Sequence, residues 1–228
     1  MGNGSLFTGH YGYLVTTKAE QEGIVRRGAV AKRVLDVAAS ATGLVVLSPL
    51  LIGLTVAIKA HDGGPVLYAS QRVGKDGRAF LLYKFRTMIV DSDKQGPAIT
   101  TARDRRITKV GVWLRRFKLD ELPQLWNVLK GEMSLVGPRP EDPRYVVHYT
   151  PEQRQVLAVR PGITGTASLA YRREERLLHD ADWESRYLNE IMPAKLALEL
   201  DYLRRRTLWT DVGLIVRTFV ALFKHEDQ

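Results

Sequence analysis

The longest apolar stretch of the chain runs from Val37 to Ile58 and contains no charged residue. At about 1.5 Å per residue, a helix of this length would extend about 33 Å, roughly the thickness of the hydrocarbon core of a bilayer. Ser48 and Pro49 interrupt the stretch at its centre, where proline removes a backbone hydrogen bond and bends a helix. The pattern therefore predicts a helix, a break and a second helix.

Basic residues flank both ends of this stretch. The positive-inside tendency holds such flanks on the cytoplasmic side of a membrane, which favours a re-entrant helix. Asp36 shares a helical face with two of the cations, so its charge is neutralised at the point of entry. The pattern leaves a kinked spanning helix equally open, and the third alternative is a buried core helix of a water-soluble protein. The flanking cations are Arg26, Arg27, Lys32 and Arg33 on one side, and Lys59, Arg72 and Lys75 on the other.

The remaining pattern predicts a mainly helical α+β fold. Two short apolar runs, 66–68 and 80–83, lie on either side of a Gly-Lys-Asp-Gly turn, which is typical of a β-hairpin. The last apolar segment is compatible with a core helix or with an interfacial amphipathic helix lying on lipid. Helices are predicted at 109–117, 122–130, 143–157, 184–206 and 211–223, and a loop at 91–102. The predicted units are an N-terminal lead-in (1–31), a membrane helix (32–59) and a cytosolic domain (60–228) with interfacial helices.

Composition narrows the chemistry. The chain has 34 Lys and Arg residues against 25 Asp and Glu residues, and this excess favours an anionic partner such as a phosphorylated substrate, a phospholipid surface or nucleic acid. Cysteine is absent, which excludes disulfides, thiol nucleophiles and Cys-ligated zinc. The five His residues are too far apart for an HExxH motif, and the sequence contains neither a P-loop nor a GxSxG motif.

Two adjacent carboxylates, Asp120 and Glu121, stand among many cations. Pro123 is tolerated in a first helical turn, so a helix is predicted to begin near Asp120. In a structural interpretation, Asp120 is an N-cap and Glu121 is favoured by the helix dipole. In a functional one, the helix N-terminus and the arginines bind phosphate, one carboxylate attacks phosphorus, and the other holds a divalent cation such as Mg²⁺. The cations are Arg103, Arg105, Arg106, Lys109, Arg115, Arg116, Lys118 and, after the pair, Arg139.

Eight motifs occur in order between Lys32 and Phe223. They are KRVLD (32–36), SP (48–49), QRVG (71–74), YKFRTM (83–88), DRRITKVG (104–111), LDELPQ (119–124), GEMSLVGPRP (131–140) and RPGITG (160–165). Together they resemble those of the bacterial polyprenyl-phosphate phosphoglycosyl transferases of the monotopic type, the initiating sugar transferases of glycan assembly. The length is similar to that of the short, single-module form.

This resemblance implies a two-step reaction catalysed by the domain at 60–228. A phosphosugar passes from a UDP-sugar to polyprenyl (undecaprenyl) phosphate, and UMP is released. Asp120 is the implied catalytic nucleophile and forms an aspartyl-phosphosugar intermediate. Glu121 is the second implied catalytic residue and the Mg²⁺ ligand. The residues implied to bind substrate are Arg115, Arg139, Lys84 and Arg86.

The resemblance also implies a place in the cell. A re-entrant helix would hold the chain at the cytoplasmic face of the bacterial inner membrane, in contact with phospholipid; a homodimer is left open, and nucleic acid is not an implied partner. Departures from the family pattern occur at Ala167–Tyr171 and at Glu199, where Asp is more common. The alternative is a non-catalytic basic module that binds a membrane or nucleic acid. The implied anchor residues are Lys32, Arg33, Asp36, Ser48 and Pro49.

Overall fold

The computed structural model describes residues 18–92, 104–174, 177–178 and 182–223. These residues form a mainly helical fold with two small sheets, which confirms the predicted fold class at this level. The helices are α1 (Lys18–Val46), α2 (Ser48–Asp62), α3 (Lys109–Arg116), α4 (Gln124–Lys130), α5 (Pro143–Val146), α6 (Thr166–Ala170), α7 (Trp183–Arg186), α8 (Met192–Arg205) and α9 (Leu208–Phe223). The strands are β1 (Leu67–Val73), β2 (Ala79–Phe85), β3 (Ser134–Val136) and β4 (Gly162–Thr164).

The predicted break between the first two helices is present at Leu47, and α1 and α2 are bent by 61°. Pro49 has no N–H, so the carbonyl of Val45 loses its helical donor. The Ser48 hydroxyl donates to that carbonyl at 2.7 Å instead. The Ser-Pro pair thus both creates the break and satisfies the backbone group that it frees, as the sequence predicts.

Among the described residues, no single helix has the length and apolar composition needed to cross a bilayer. The bent pair Ala29–Val46 and Ser48–Asp62 has both, by length and composition alone. Val45 is 73% exposed and Ile52 is 65% exposed, which argues against the buried core helix. Because α1 begins at Lys18, it includes part of the predicted lead-in; residues 1–17 lie outside the described residues.

The predicted β-hairpin is confirmed by β1 and β2, which pair antiparallel from Leu67 opposite Phe85 to Val73 opposite Ala79. Asp76 adopts a left-handed conformation in the connecting turn, and such conformations match the twist of paired strands. Both strands are longer than the predicted apolar runs because polar residues continue the ladder beyond them.

Two predicted helices are divided in the structure. The segment 143–157 forms α5 and a separate 3-10 turn at Gln153–Ala158, because Pro151 disfavours a helical conformation at the residue before it. The segment 184–206 forms α7, a π turn and α8. Pro193 lies in the first turn of α8 and removes a helical donor at that junction.

The last predicted helix is confirmed as α9. One side of α9 packs against the core, and the other side exposes apolar side chains. Asp211 and Leu214 are buried against the core, whereas Val216 is 55% and Phe219 61% exposed. The helix predicted at 109–117 is confirmed as α3, and that at 122–130 begins at Gln124 in α4. Most of the loop predicted at 91–102 lies outside the described residues.

A buried apolar cluster of Ile58, Phe85 and Leu114 joins α2, β2 and α3. Leu119, at the start of the turn between α3 and α4, packs against it. This cluster fixes the turn that carries the two adjacent carboxylates next to the hairpin strand β2.

Candidate active site

The adjacent carboxylates lie in a single 3-10 turn, Leu119–Glu121, between α3 and α4. Lys118 enters the turn in a left-handed conformation, with φ of 54°, and Pro123 rather than Asp120 occupies the N-cap of α4. The helical start predicted near Asp120 is a 3-10 turn that begins at Leu119, whereas α4 begins at Gln124. The interpretation of Asp120 as an N-cap is wrong. The left-handed residue separates α3 from the turn, and Glu121 of the turn contacts Lys84 of β2.

Asp120 is buried without a hydrogen bond to one of its oxygens. The residue is 7% exposed, and its Oδ1 has no hydrogen-bond partner among the described residues. Burial raises the pKa of Asp120, Lys84 opposes this shift, and the adjacent charge of Glu121 adds to it. Such a carboxylate is more basic than an exposed one and is poorly solvated, as expected of a group held ready for an electrophile.

Glu121 differs from Asp120 in having two cationic partners. Its Oε1 accepts hydrogen bonds from Lys84 Nζ and from Arg139 Nη2, both at 2.9 Å. Burial raises the pKa of Glu121, but Arg139 and Lys84 outweigh burial and hold it well below its usual range. Glu121 is therefore ionised while its neighbour is the more basic member of the pair.

The two predicted cations Lys84 and Arg139 meet at Glu121 from different elements of the fold. Lys84 comes from β2, and Arg139 comes from the loop after β3. Their side chains remain 20% and 35% exposed, so both can also reach an incoming anion. The electrostatic field at the site therefore suits a substrate with several negative charges.

Arg115 lies in the last turn of α3, where its Nε donates to Thr87 Oγ1 at 2.8 Å. Its charge lowers the pKa of Asp120, an effect that is larger for Lys84. Hydrogen bonds bring Lys84 and Arg139 to Glu121, beside Asp120, and Arg115 acts on Asp120 through its charge.

A family model described as bacterial sugar transferase matches residues 27–225 of the chain. The chain belongs to the bacterial sugar transferase family. This membership confirms the predicted resemblance, and it covers the turn, β2 and the loop after β3 that form the site.

Several curated relatives of this sugar transferase carry specific names. An undecaprenyl-phosphate glucose phosphotransferase from Komagataeibacter xylinus is 39% identical over 82% of this chain and 35% of its own length. A UDP-glucose:undecaprenyl-phosphate glucose-1-phosphate transferase from Caulobacter vibrioides is 38% identical over 84% of the chain and 69% of its own length. A putative undecaprenyl-phosphate N-acetylgalactosaminyl 1-phosphate transferase from Bacillus subtilis is 39% identical over 66% of the chain and 79% of its own length. The chain spans only 35% to 42% of the length of the Komagataeibacter xylinus relative and of two others, from Aeromonas hydrophila and Xanthomonas campestris.

Arg86, predicted to bind substrate with Lys84, points elsewhere in this sugar transferase. Its Nη1 donates to Asp62 Oδ2 at 2.6 Å, its Nη2 donates to Asp62 Oδ1, and its Nε donates to the Pro65 carbonyl at 2.5 Å. The structure therefore places Arg86 at the exit of α2 rather than at the carboxylate pair.

The predicted anchor residues at the entry of α1 contact protein groups. Arg33 donates to the carbonyls of Val128 and Leu129 at the end of α4. A second set of contacts joins α1 to β3 and α9, and we call it the collar: Lys32, Asp36, Tyr202 and Asp211. In the collar, Asp211 accepts from Lys32 Nζ and from the Tyr202 hydroxyl, both at 2.6 Å, and Asp36 accepts from the Leu135 amide at 3.1 Å.

The residues that could hold a divalent cation are Asp120 and Glu121. No cluster of three or more acidic or His side chains suited to a metal occurs in the described part of the chain. Mg²⁺ is commonly held by one or two carboxylates together with substrate phosphates, and the unpartnered Oδ1 of Asp120 beside ionised Glu121 fits that donor set.

Asn127 was not predicted, although it supports the site. It is fully buried; its Oδ1 accepts from the Tyr83 amide at 3.1 Å, and its Nδ2 donates to the Leu81 carbonyl and to Glu132, both at 2.7 Å. These bonds attach α4 to β2 on both sides of Leu82, next to Lys84. The available signal was an amide side chain within the otherwise apolar helix Leu125-Trp126-Asn127-Val128-Leu129.

Glu199 was noted in the sequence only as a departure, and in the structure it is a buried cap. It is 3% exposed and accepts from the Ala167 amide at 3.0 Å and the Thr166 hydroxyl at 3.1 Å. Burial raises its pKa to about 7, which these hydrogen bonds partly oppose. It therefore fixes the start of α6, which contains most of the segment that departs from the family pattern.

Proposed function

We propose that this chain transfers a phosphosugar from a UDP-sugar to undecaprenyl phosphate, releasing UMP and forming undecaprenyl-diphosphate-sugar. The names of its relatives support the substrate class, and membership of the family supports the reaction type. The observation that carries the proposal is the buried, unpartnered oxygen of Asp120 beside a glutamate whose charge is compensated by Lys84 and Arg139.

In the first step, an Asp120 oxygen attacks the sugar-bearing phosphorus of the donor. A new bond forms between that oxygen and phosphorus, the bond from phosphorus to the bridging oxygen breaks, and the electron pair leaves with UMP. Arg139, Lys84 and Arg115 compensate the charge of the diphosphate, which lets an anionic nucleophile approach. The product is an aspartyl phosphosugar, and the step requires no proton.

In the second step, a phosphate oxygen of undecaprenyl phosphate attacks the same phosphorus. The bond to Asp120 breaks, and the carboxylate is regenerated. Dividing the transfer into two displacements lets one site serve a water-soluble donor and a lipid acceptor in turn.

Glu121, with Asp120, would hold Mg²⁺ together with phosphate oxygens of the donor. When bound, the ion supplies charge neutralisation and polarises the phosphoryl group. The chain's own contribution is to keep Glu121 ionised at neutral pH, which Arg139 and Lys84 achieve by lowering its pKa.

The membrane part of the proposal rests on the bent pair α1–α2. We propose that it enters the inner membrane from the cytoplasmic face and returns, with Lys32, Arg33 and Asp36 at its entry and Ser48 and Pro49 at its apex. The basic flanks and the exposed apolar side chains of both helices support this placement. In this placement, the large apolar side chains exposed on α3, α4 and α9 would contact the lipid headgroup region. They are Trp113, Trp126, Trp209 and Phe219.

The proposal is tested with the full chain in liposomes, undecaprenyl phosphate and a panel of UDP-sugars. We expect UMP release with one or a few sugars, and its loss in excess chelator with recovery on adding Mg²⁺. Intact-protein mass spectrometry of donor-treated enzyme without acceptor should show one added phosphosugar. UMP release from none of the sugars, with retained binding to anionic vesicles, would support the non-catalytic basic module instead.

A further inference from the structure

The exit of α2 is joined to the end of β2 by an ion pair between Asp62 and Arg86. Asp62, the last residue of α2, receives two parallel hydrogen bonds from the Arg86 guanidinium, one of them at 2.6 Å. Arg86 is 7% exposed, and its Nε binds the Pro65 carbonyl. A bidentate pair of this kind has a fixed geometry as well as a favourable charge.

Asp62 has one local contact, since its Oδ1 accepts from the Gly64 amide at 3.1 Å. The C-terminal end of a helix carries partial negative charge, which makes an acidic residue there unfavourable unless a cation compensates it. The backbone is also fitted to Arg86, because a Cβ at Gly64 would lie 3.0 Å from Arg86 Nη2 and 2.8 Å from Val90. Asp62 therefore closes a local turn through Gly64 and also joins α2 to Arg86, 24 positions along the chain.

Arg86 belongs to the strand segment that also serves the catalytic carboxylates. Lys84, two residues earlier, binds Glu121. Phe85, between them, packs against Ile58 of α2, and Leu119, next to Asp120, packs against the same cluster. One short segment thus connects the exit of the helix pair with the 3-10 turn Leu119–Glu121, which we call the carboxylate turn.

The entry of the helix pair is fastened to the other side of that turn. Arg33 Nη1 donates to the Val128 carbonyl at 2.7 Å, and Nη2 donates to the Leu129 carbonyl at 3.1 Å. Both carbonyls lie at the end of α4, which follows the carboxylate turn directly. The α1–α2 pair is consequently held at both ends by the elements that flank Asp120.

We propose that the Asp62–Arg86 pair is a positioning device for the second half-reaction: it fixes the height of the α1–α2 pair relative to Asp120, so that an acceptor phosphate confined to the bilayer surface reaches the aspartyl phosphosugar. This inference rests on the proposed function. A water-soluble donor approaches from bulk solvent and does not depend on that height, so the two half-reactions differ in their need for the pair.

The first test separates the half-reactions in liposomes. For Asp62→Asn we expect the rate of adduct formation, measured as UMP release in the absence of acceptor, to stay within about twofold of wild type. Loss of preformed adduct on adding undecaprenyl phosphate should slow at least about tenfold. Asp201→Asn, which removes an exposed Arg205 pair on α8, is the control and should leave both steps unchanged.

The second test measures position without activity. The chain has no native Cys, so spin labels at Val46→Cys and Val147→Cys, both on exposed residues, report the distance from the break between α1 and α2 to the end of α5, which follows the loop that carries Arg139. We expect a narrow distance distribution that broadens or shifts when Asp62→Asn is added.

The outcomes are decisive in either direction. Equal slowing of both half-reactions, slowing of neither, or an unchanged distance distribution would overturn the positioning role. A wild-type enzyme that forms no adduct would instead remove the proposed function itself, and the two failures are therefore distinguishable.

Discussion

The carboxylate turn and the collar each contain two buried carboxylates near a lysine, yet they differ in how their oxygens are satisfied. In the collar, Asp211 accepts from Lys32 and from Tyr202, both at 2.6 Å. In the turn, one oxygen of Asp120 has no partner among the described residues. The collar has the bonding of a structural joint, and the turn has that of a site that awaits a substrate.

The difference follows from what buried charges require. An ion pair removed from water is stable only when its geometry and hydrogen bonds compensate the lost solvation. An uncompensated oxygen costs stability, and folds retain such a cost mainly at functional sites. The comparison therefore predicts opposite consequences for removing a partner in the two regions: lost chemistry in the turn, and lost stability in the collar.

The largest expected effect is that of Asp120→Asn. An amide cannot form the aspartyl phosphosugar, so turnover should fall by at least about 10³-fold, and the adduct should be absent from intact-protein mass spectra. Because burial raises the pKa of Asp120, its ionisation disfavours the folded state, and that unfavourable contribution develops as pH rises from the ordinary carboxyl pKa to the raised one and is complete above it. The variant should thus have a melting temperature at or above that of wild type.

The control variant is Asp201→Asn, which makes the same change of side chain on the exposed face of α8. It should retain turnover. Turnover by Asp120→Asn comparable to wild type would mean that the turn is not the site of phosphorus chemistry.

The next effect concerns pH. If ionised Asp120 is the nucleophile, the rate of adduct formation should fall as pH decreases through its raised pKa. Lys84 lowers that pKa and Glu121 raises it, so Lys84→Met should move the acidic limb to higher pH and Glu121→Gln should move it to lower pH. The measurement is the position of the limb in single-turnover profiles, since both variants also reduce the maximal rate. Shifts in the same direction would contradict the assignment.

Features governed by adjacent residues could be predicted from the sequence. Ser48 and Pro49 indicated the break because proline removes a specific donor and serine replaces it at Val45. The Gly-Lys-Asp-Gly turn indicated the β-hairpin for a similarly local reason. The pairing of acidic chemistry at Asp120 and Glu121 with Lys84 and Arg139 came from the family motifs, and the structure places all four together.

Features governed by contacts between distant residues could not be predicted from the sequence. The left-handed Lys118 turns the chain before α4, so helix-capping rules, which assume a regular start, gave the wrong interpretation of Asp120. Arg86 and Arg33 carry charges that resemble phosphate or headgroup ligands in sequence. Their partners, Asp62 and the end of α4, are more than 20 positions away, and no local periodicity reports such pairs.

The smallest expected effect, and the one that sharpens the comparison most, is that of Tyr202→Phe. The substitution keeps the buried ring and removes the hydroxyl that donates to Asp211 Oδ1 at 2.6 Å, so the collar acquires a buried carboxylate oxygen lacking that donor, much like Asp120. Losing a hydrogen bond to a charged group should lower the free energy of unfolding by about 1.5–3 kcal/mol. Thermal unfolding in detergent should show a decrease of a few degrees, since about 2–4 °C per kcal/mol is typical for a chain of this size.

Turnover per folded molecule should stay within about twofold of wild type, because Tyr202 contacts no residue of the carboxylate turn in the described structure. Tyr149→Phe, at a buried tyrosine of another cluster, is the matched control and should cost less. A large loss of turnover with unchanged stability would show that the collar takes part in the reaction, and the distinction between the two regions would then fail.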